Sequence, residues 1–171
     1  MEENLGFSLE EFMELLGTIT EETRREPAVL HIEANEVLTL RGCLANRHEQ
    51  ATDNAMRKLL DSDPAEVNIA LSYVDILNFV IAALDQRKRF HQPVSVNLEE
   101  AEQGSQIATI VLMSEICAHM REIREKIIPA TEEYCKTLSR VYKKVVTLFF
   151  RKVPFAHFGN NETKSSGTEG A

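Results

Sequence analysis

Residues 67–98 constrain the fold of this chain more than any other stretch. Residues 67–71 are a short apolar run of the kind that buried strands make, and over residues 76–84 the apolar positions follow helical spacing. Pro93 interrupts this pattern, after which residues 94–98 alternate between apolar and polar as strands do. The order strand, helix, strand predicts a βαβ unit, in which the crossover helix makes the two strands parallel neighbours and buries both.

Length and composition predict one compact domain with extensions, since a single core suits roughly 100–200 residues and this chain has 171. No apolar run approaches the roughly 20 residues of a membrane-spanning helix, and the acidic start lacks the regions of a signal peptide. The cysteines Cys43, Cys117 and Cys135 are far apart and in no CxxC pair, which is typical of reduced thiols. We therefore expect a cytoplasmic protein without a membrane partner.

Charge is unevenly distributed along the chain, whose formal net charge is −8. Residues 1–36 hold ten Glu against two Arg, and residues 136–152 hold six basic residues and no acid. The overall sign disfavours general nucleic-acid binding. The opposite charges of the two segments favour packing of the last helix beside the first.

The N-terminal part contains one clear helix start and one ambiguous segment. Ser8 and Glu11 form a capping box, which starts a helix that ends near Gly17. Residues 29–41 fit either a hairpin, in which the large apolar residues share one face, or a helix with a thinner apolar stripe. The hairpin accounts for more of the large residues.

Three further helices are predicted outside the central unit. The first follows Asn46, ends before a loop at 61–64, and turns five apolar residues inward: Ala51, Ala55, Met56, Leu59 and Leu60. The second opens at Gly104. The third covers about 130–152, with an apolar stripe that recurs every three or four residues: Tyr134, Leu138, Val141, Val145 and Leu148.

Three short segments have the order and spacing of a known family. They are Val37-Leu-Thr-Leu-Arg-Gly42 in the predicted hairpin, Leu71-Ser-Tyr-Val74 at the end of the first parallel strand, and Val96-Asn-Leu98 in the second. Together they make residues 29–120 resemble the STAS domain, the fold of bacterial anti-sigma-factor antagonists. The resemblance implies docking to a protein such as an anti-sigma kinase, a sensor complex or the ATPase of a lipid-transport ABC system.

The resemblance also implies a partner-binding surface at the loop after the first parallel strand and at the start of its helix. Its residues are Ser72, Asp75, Asn78, Phe79 and Val80. Partners commonly dock beyond the carboxyl ends of parallel strands, which is the same place. Phe79 is either a core residue or an exposed docking residue. The family commonly carries a phosphorylatable serine where this chain has residues 78–80, so we expect no phosphoryl switch there.

No pattern of catalytic or metal-ligating residues is visible. The five histidines are scattered without HExxH or similar spacing, and no GxSxG or phosphate-binding glycine loop occurs. Cys117 lies on an apolar face, which favours a core residue over a nucleophile. We therefore expect neither an enzyme nor a cofactor or metal site.

The predicted fold is α+β, with an acidic helical segment at 1–27, a STAS-like mixed sheet with helices at 28–120, a helical extension at 121–155 and a disordered tail at 156–171. The predicted function is a non-enzymatic regulatory module that docks to a regulatory kinase, a sensor or a transporter ATPase. The alternative is an all-α structural or adaptor protein that forms a homo-oligomer through residues 130–152. The stripe of this last helix fits its own domain, a second copy or an anionic membrane surface.

Overall fold

A computed structural model describes residues 8–86 and 91–152. These residues are mostly helical and include one small antiparallel sheet of two strands. The elements run in this order: α1 Leu9–Gly17, α2 Glu21–Arg25, β1 Val29–Ile32, α3 Val37–Asp61, α4 Pro64–Asp85, β2 Val94–Asn97, a 3-10 helix Leu98–Glu100, α5 Ser105–Arg124 and α6 Glu132–Lys152. The α+β class is confirmed in this coarse form, whereas the described ranges hold no mixed sheet.

The sheet pairs β1 with β2, and Leu30 lies opposite Val96. Leu30, Ile32 and Val96 are buried, so one face of the sheet lies on the core. On the exposed face, His31 Nδ1 and Ser95 Oγ lie 2.8 Å apart, within hydrogen-bonding distance. The sheet therefore packs on the core with one face only, and its other face is exposed.

The hairpin predicted at 29–41 is wrong in its second half. β1 forms as predicted, but residues 37–41 begin α3, and β1 pairs instead with β2. Val37, Leu40 and Leu44 are fully buried at helical spacing. The predicted hairpin ends at residue 41, whereas the buried stripe continues to Leu44. The helix is favoured because it buries all of these residues on one face.

The predicted βαβ unit is also wrong, because residues 67–71 lie inside α4. α4 begins where the sequence suggests a loop: the Asp63 side chain accepts a hydrogen bond from the Glu66 amide (3.0 Å), and Pro64 occupies the first turn. A short apolar run fits a strand or a helix equally well, and here the cap favours the helix. The strand predicted at 94–98 is confirmed over residues 94–97, although its neighbour is antiparallel and Leu98 begins the 3-10 helix.

α3 and α4 form an antiparallel helical hairpin with a connection of only two residues. Arg41 near the start of α3 pairs with Asp85 at the end of α4 (2.6 Å), and Lys58 pairs with Glu66 at the opposite end (3.5 Å). The half of the hairpin near Arg41 supplies fully buried core residues: Leu40, Leu44, Ile76, Leu77, Val80 and Leu84. This half anchors the hairpin to the rest of the domain.

α6 completes the core instead of extending from it. Leu138, Val141 and Val145 are fully buried, and α6 packs on α5 and β1. Lys143 Nζ donates a hydrogen bond to Glu11 Oε2 (2.6 Å), which ties α6 to α1. Of the three destinations that the sequence allows for this stripe, the structure shows packing on the protein's own domain.

The predicted segment boundaries do not coincide with separate bodies. The boundary at residue 120 lies inside α5, and helices on both sides of it share one core. The residues predicted as a helical extension therefore include an integral core helix. The tail predicted to be disordered, 156–171, lies outside the described residues.

Candidate functional site

The predicted partner-binding residues all lie in the middle of α4, not in a loop at the end of a strand. Val80 is fully buried and Phe79 is half-buried against the core, so Phe79 is mainly a packing residue. The Ser72 hydroxyl donates a hydrogen bond to the Asn68 carbonyl of the preceding turn (2.9 Å).

Asp75 and Asn78 are the two predicted residues that the structure leaves exposed. Because they are three positions apart on α4, they lie on one side of the helix. The structure therefore does not bring the five predicted residues together as one surface. Another part of the hairpin of α3 and α4 exposes large apolar side chains, as a protein-docking surface would.

That part is the distal hairpin, which we define as residues 52–71, the last turns of α3 and the first turns of α4. Within it only Ala55 and Ala70 are buried. Five large apolar side chains of this segment are exposed: Met56, Leu59, Leu60, Ile69 and Leu71. Each arm of the distal hairpin is about ten residues long, so it rises about 15 Å along its axis.

Three of these residues form a stripe along α3. Met56, Leu59 and Leu60 are spaced by three and four positions, so they occupy one side of the helix. Their exposed fractions are 61%, 56% and 84%. The sequence predicts that these three residues face the core, and this prediction is wrong. No element of the described chain covers the stripe.

An open cleft of about 610 Å³ lies along the hairpin and reaches α5. Its apolar floor comes from four residues of α3 and α4: Ala51, Ile69, Ala70 and Tyr73. Polar and charged side chains of both signs surround that floor: Arg47, Gln50, Asp53, Asn54, Arg57, Lys58, Glu66 and Glu115. The cleft is thus amphipathic, and we call it the hairpin cleft.

Arg47 anchors the α5 side of the hairpin cleft through a mostly buried charge network. Its Nε donates to Glu115 Oε2 (2.7 Å), and its Nη1 donates to Glu122 Oε1 and to Gln50 Oε1 (2.9 Å). The side chains of Arg47 and Glu115 are 14% and 9% exposed. These contacts join Arg47 of α3 to two carboxylates of α5. Separating the two helices would leave buried charges uncompensated, so the network holds α3 against α5.

The titratable groups inside the core do not form a reactive cluster. Burial raises the pKa of the Cys43 thiol far above its ordinary value, which keeps it protonated. His119 Nε2 lies 2.9 Å from Tyr134 Oη; burial lowers the pKa of His119 and raises that of Tyr134 to about 12. A neutral imidazole beside a protonated phenol links α5 to α6 without a net charge. Over residues 8–86 and 91–152, no group of three His, Cys, Asp or Glu could hold a metal ion.

α4 also differs from the sequence analysis in its hydropathy. In the described part of the chain it is the one helix long and apolar enough to cross a membrane, judged by length and composition alone. In the structure, 28% of its apolar window is buried, and every buried residue of α4 except Ala70 faces the core beyond the distal hairpin. Its exposed apolar residues are therefore part of the hairpin surface described above.

One local signal in the sequence could have located the hairpin. Asp63-Pro64 is a helix start, and it follows directly on the predicted helix that ends before residue 61. Two helices with so short a connection must lie antiparallel.

Comparisons of this chain with protein-family models, with curated proteins and with solved structures returned no match.

Proposed function

We propose that this chain is a non-enzymatic protein-association module that pairs with a second copy of itself through the distal hairpin. The observation that carries the proposal is the uncovered apolar surface of that hairpin. Monomeric proteins rarely leave contiguous apolar patches of more than a few hundred Å² exposed, and larger patches mark interaction sites. The distal hairpin concentrates five large exposed side chains within twenty residues.

The position of the stripe favours a second copy as the partner. Met56 and Leu60 lie two positions from the cleft residues Asn54 and Lys58, so the stripe faces away from the hairpin cleft. In a twofold dimer the stripes of the two copies would pack against each other. Such a contact is self-complementary and closed, as twofold interfaces are.

The expected affinity follows from the exposed apolar area. Full burial of a Leu or Met side chain contributes about 1.5–3 kcal/mol. The stripe residues are between 56% and 84% exposed, so the two stripes of a dimer contribute about 6–12 kcal/mol. Association itself costs at least about 4 kcal/mol. The dimer should therefore be no tighter than about 8 kcal/mol, a Kd of about 1 µM.

The sequence also predicts protein docking, but at a different surface from the distal hairpin. Self-association through residues 130–152 would need a stripe that is buried in the core. Docking at the end of a parallel strand would need a strand at 67–71, where the structure has α4. The proposed dimer therefore does not depend on the STAS resemblance, and its partner is a second copy instead of a kinase, a sensor or a transporter ATPase.

Sedimentation velocity over a range of micromolar concentrations tests the proposal. We expect a reversible monomer–dimer equilibrium in the wild type, which Met56→Gln combined with Leu60→Gln shifts to the monomer. Glutamine is a good helix former, so α3 should persist. Leu38→Gln is the matched control, because Leu38 is on the same helix and its exposed fraction, 61%, equals that of Met56.

Three outcomes would contradict the proposal. A wild type that stays monomeric at high micromolar concentration has no self-association to explain. A dimer that both Leu38→Gln and the double variant weaken equally does not use the distal hairpin. A monomer that binds phospholipid vesicles, and loses this binding in the double variant, uses the apolar stripe for a lipid surface.

A further inference from the structure

A second cleft shares no residue with the distal hairpin. It has a volume of about 300 Å³ and lies between α2 and the last turn of α6. Five charged residues line it: Glu21, Arg24, Arg25, Arg151 and Lys152. Four cations against one carboxylate is an unusual concentration in a chain with a net charge of −8. We call this site the basic cleft.

The internal partners of the basic cleft leave much of its positive charge uncompensated. Arg25 and Glu21 lie 3.7 Å apart, and both side chains are more than 80% exposed, so this pair is weak. Lys152 Nζ donates to the backbone carbonyls of Arg24 and Glu26 and lies 3.5 Å from Glu99 Oε1. The backbone carbonyls do not cancel the charge of Lys152, and the Glu99 carboxylate neutralises it only in part.

Arg24 and Arg151 have no ion pair with any residue that the structure describes. Arg151 Nε is moreover buried and has no hydrogen-bond acceptor in the described chain. Buried donors in native proteins are nearly always satisfied, and leaving one unsatisfied costs free energy. Because Nε has no exposed surface, only the terminal nitrogens of Arg151 can meet a ligand in the cleft.

A helix dipole accounts for only part of this arrangement. Arg151 and Lys152 lie in the last turn of α6, where cations are favourable in any protein. The dipole explains why these positions are basic, but it does not explain why Arg24 of another helix joins them. This meeting of cations from two helices points to an anion between α2 and α6.

We propose that the basic cleft binds a phosphate group, either inorganic phosphate or a small phosphomonoester. The two terminal nitrogens of the Arg151 guanidinium would donate to two phosphate oxygens, a planar two-point contact that suits arginine. Arg24 would neutralise the second negative charge. A cleft of this volume is at the small end of ligand pockets, so it suits a small phosphorylated molecule better than a dinucleotide. This inference is independent of the proposed dimer.

Isothermal titration of the full chain with inorganic phosphate tests the site. We expect saturable binding that weakens as salt is added, because the contacts are ionic. Arg151→Gln and Arg24→Gln should each weaken binding by about tenfold or more, since each removes a charged contact. Arg124→Gln, which removes an exposed cation at the end of α5, should leave binding unchanged. If Arg151→Gln does not fold, Arg24→Gln decides.

A second arm identifies the source of the phosphate. Glycerol 3-phosphate in solution and vesicles that carry phosphatidic acid present the same phosphomonoester, and binding to either that depends on Arg24 supports the site. Absence of phosphate binding to the wild type at millimolar concentration would overturn the proposal. Equal weakening in Arg24→Gln and Arg124→Gln would also overturn it, since the binding would then follow net charge alone.

Discussion

The ion pair between Glu36 and Lys144 provides a quantitative test of how α6 is held in the core. Glu36 precedes α3, its side chain is 3% exposed, and its Oε1 accepts hydrogen bonds from Lys144 Nζ (2.6 Å) and from the Glu33 amide (2.9 Å). Arg140 lies 3.6 Å from the other carboxylate oxygen. Lys144→Met removes the main counter-charge and keeps most of the apolar length of the side chain.

The magnitude follows from the burial of the two partners. Removing one partner of a fully buried pair costs about 3–5 kcal/mol, because the remaining charge is left uncompensated. Lys144 is 33% exposed and Arg140 stays close to Glu36, so we expect a smaller loss of about 2–3 kcal/mol in the free energy of unfolding. Lys136→Met is the matched control, since Lys136 pairs with Glu132 on the exposed side of α6. It should cost no more than about 0.5 kcal/mol.

The pH dependence of this loss has a definite sign. Burial alone would raise the pKa of Glu36, but the hydrogen bonds from Lys144 and Glu33, with the charges of Lys144 and Arg140, hold it below the ordinary value of 4.5. A carboxyl group with a lowered pKa stabilises the fold above its unfolded pKa, and this contribution is lost as the pH falls through the folded value. The difference between wild type and Lys144→Met should therefore be largest near neutral pH and shrink in acid below pH 4.5.

Urea unfolding followed by circular dichroism at neutral and acidic pH measures these differences. Two results would refute the reasoning. If Lys144→Met and Lys136→Met destabilise the protein equally at neutral pH, Glu36 does not depend on Lys144. If the loss in Lys144→Met grows as the pH falls toward 4.5, the carboxyl group is not stabilised in its charged form.

Three further predictions concern burial. Ile69→Asp should change the free energy of unfolding by less than about 1 kcal/mol, since Ile69 is 62% exposed, whereas Leu77→Asp should unfold the protein; equal effects in urea unfolding would contradict the assignment of α4. Deleting residues 130–171 should abolish cooperative thermal unfolding, because α6 is a core helix; a truncated chain that melts cooperatively would show that α6 is dispensable. In the native protein a thiol reagent should modify Cys117 before Cys43, whose thiol is buried and has a raised pKa; rapid labelling of Cys43 by mass spectrometry would contradict the packing of α3.

Local signals in the sequence predicted the ends and faces of some elements well. The Ser8 side chain accepts a hydrogen bond from the Glu11 amide (3.1 Å), so the predicted cap of α1 is confirmed. The apolar stripe of the last helix is confirmed as a single buried face. The predicted attraction between the acidic N-terminal helix and the basic last helix appears as the contact between Lys143 and Glu11. The cap and the stripe depend on residues that are close in sequence, and the contact between the helices depends on their opposite net charges.

The failures arose where tertiary context decides. The apolar run at 67–71 has no internal feature that separates a strand from a helix, and the cap at Asp63 lies outside it. The pairing of β1 with β2 joins segments more than sixty residues apart, which periodicity cannot detect. The stripe of Met56 and Leu60 has helical spacing, but spacing alone does not say whether another element covers it. The candidate site was misplaced for the same reasons.

The contact between two distal hairpins is the central claim, and photo-crosslinking tests it most directly. A photoreactive benzoylphenylalanine at position 60, in place of the most exposed stripe residue, would be irradiated in a mixture of isotopically labelled and unlabelled chains. Mass spectrometry then separates links between copies from links within one copy. We predict links between copies that join position 60 to the stripe of the other copy, at Met56 or Leu59. Links between copies that fall only outside residues 47–73, or none at all at concentrations where the protein dimerises, would contradict the account.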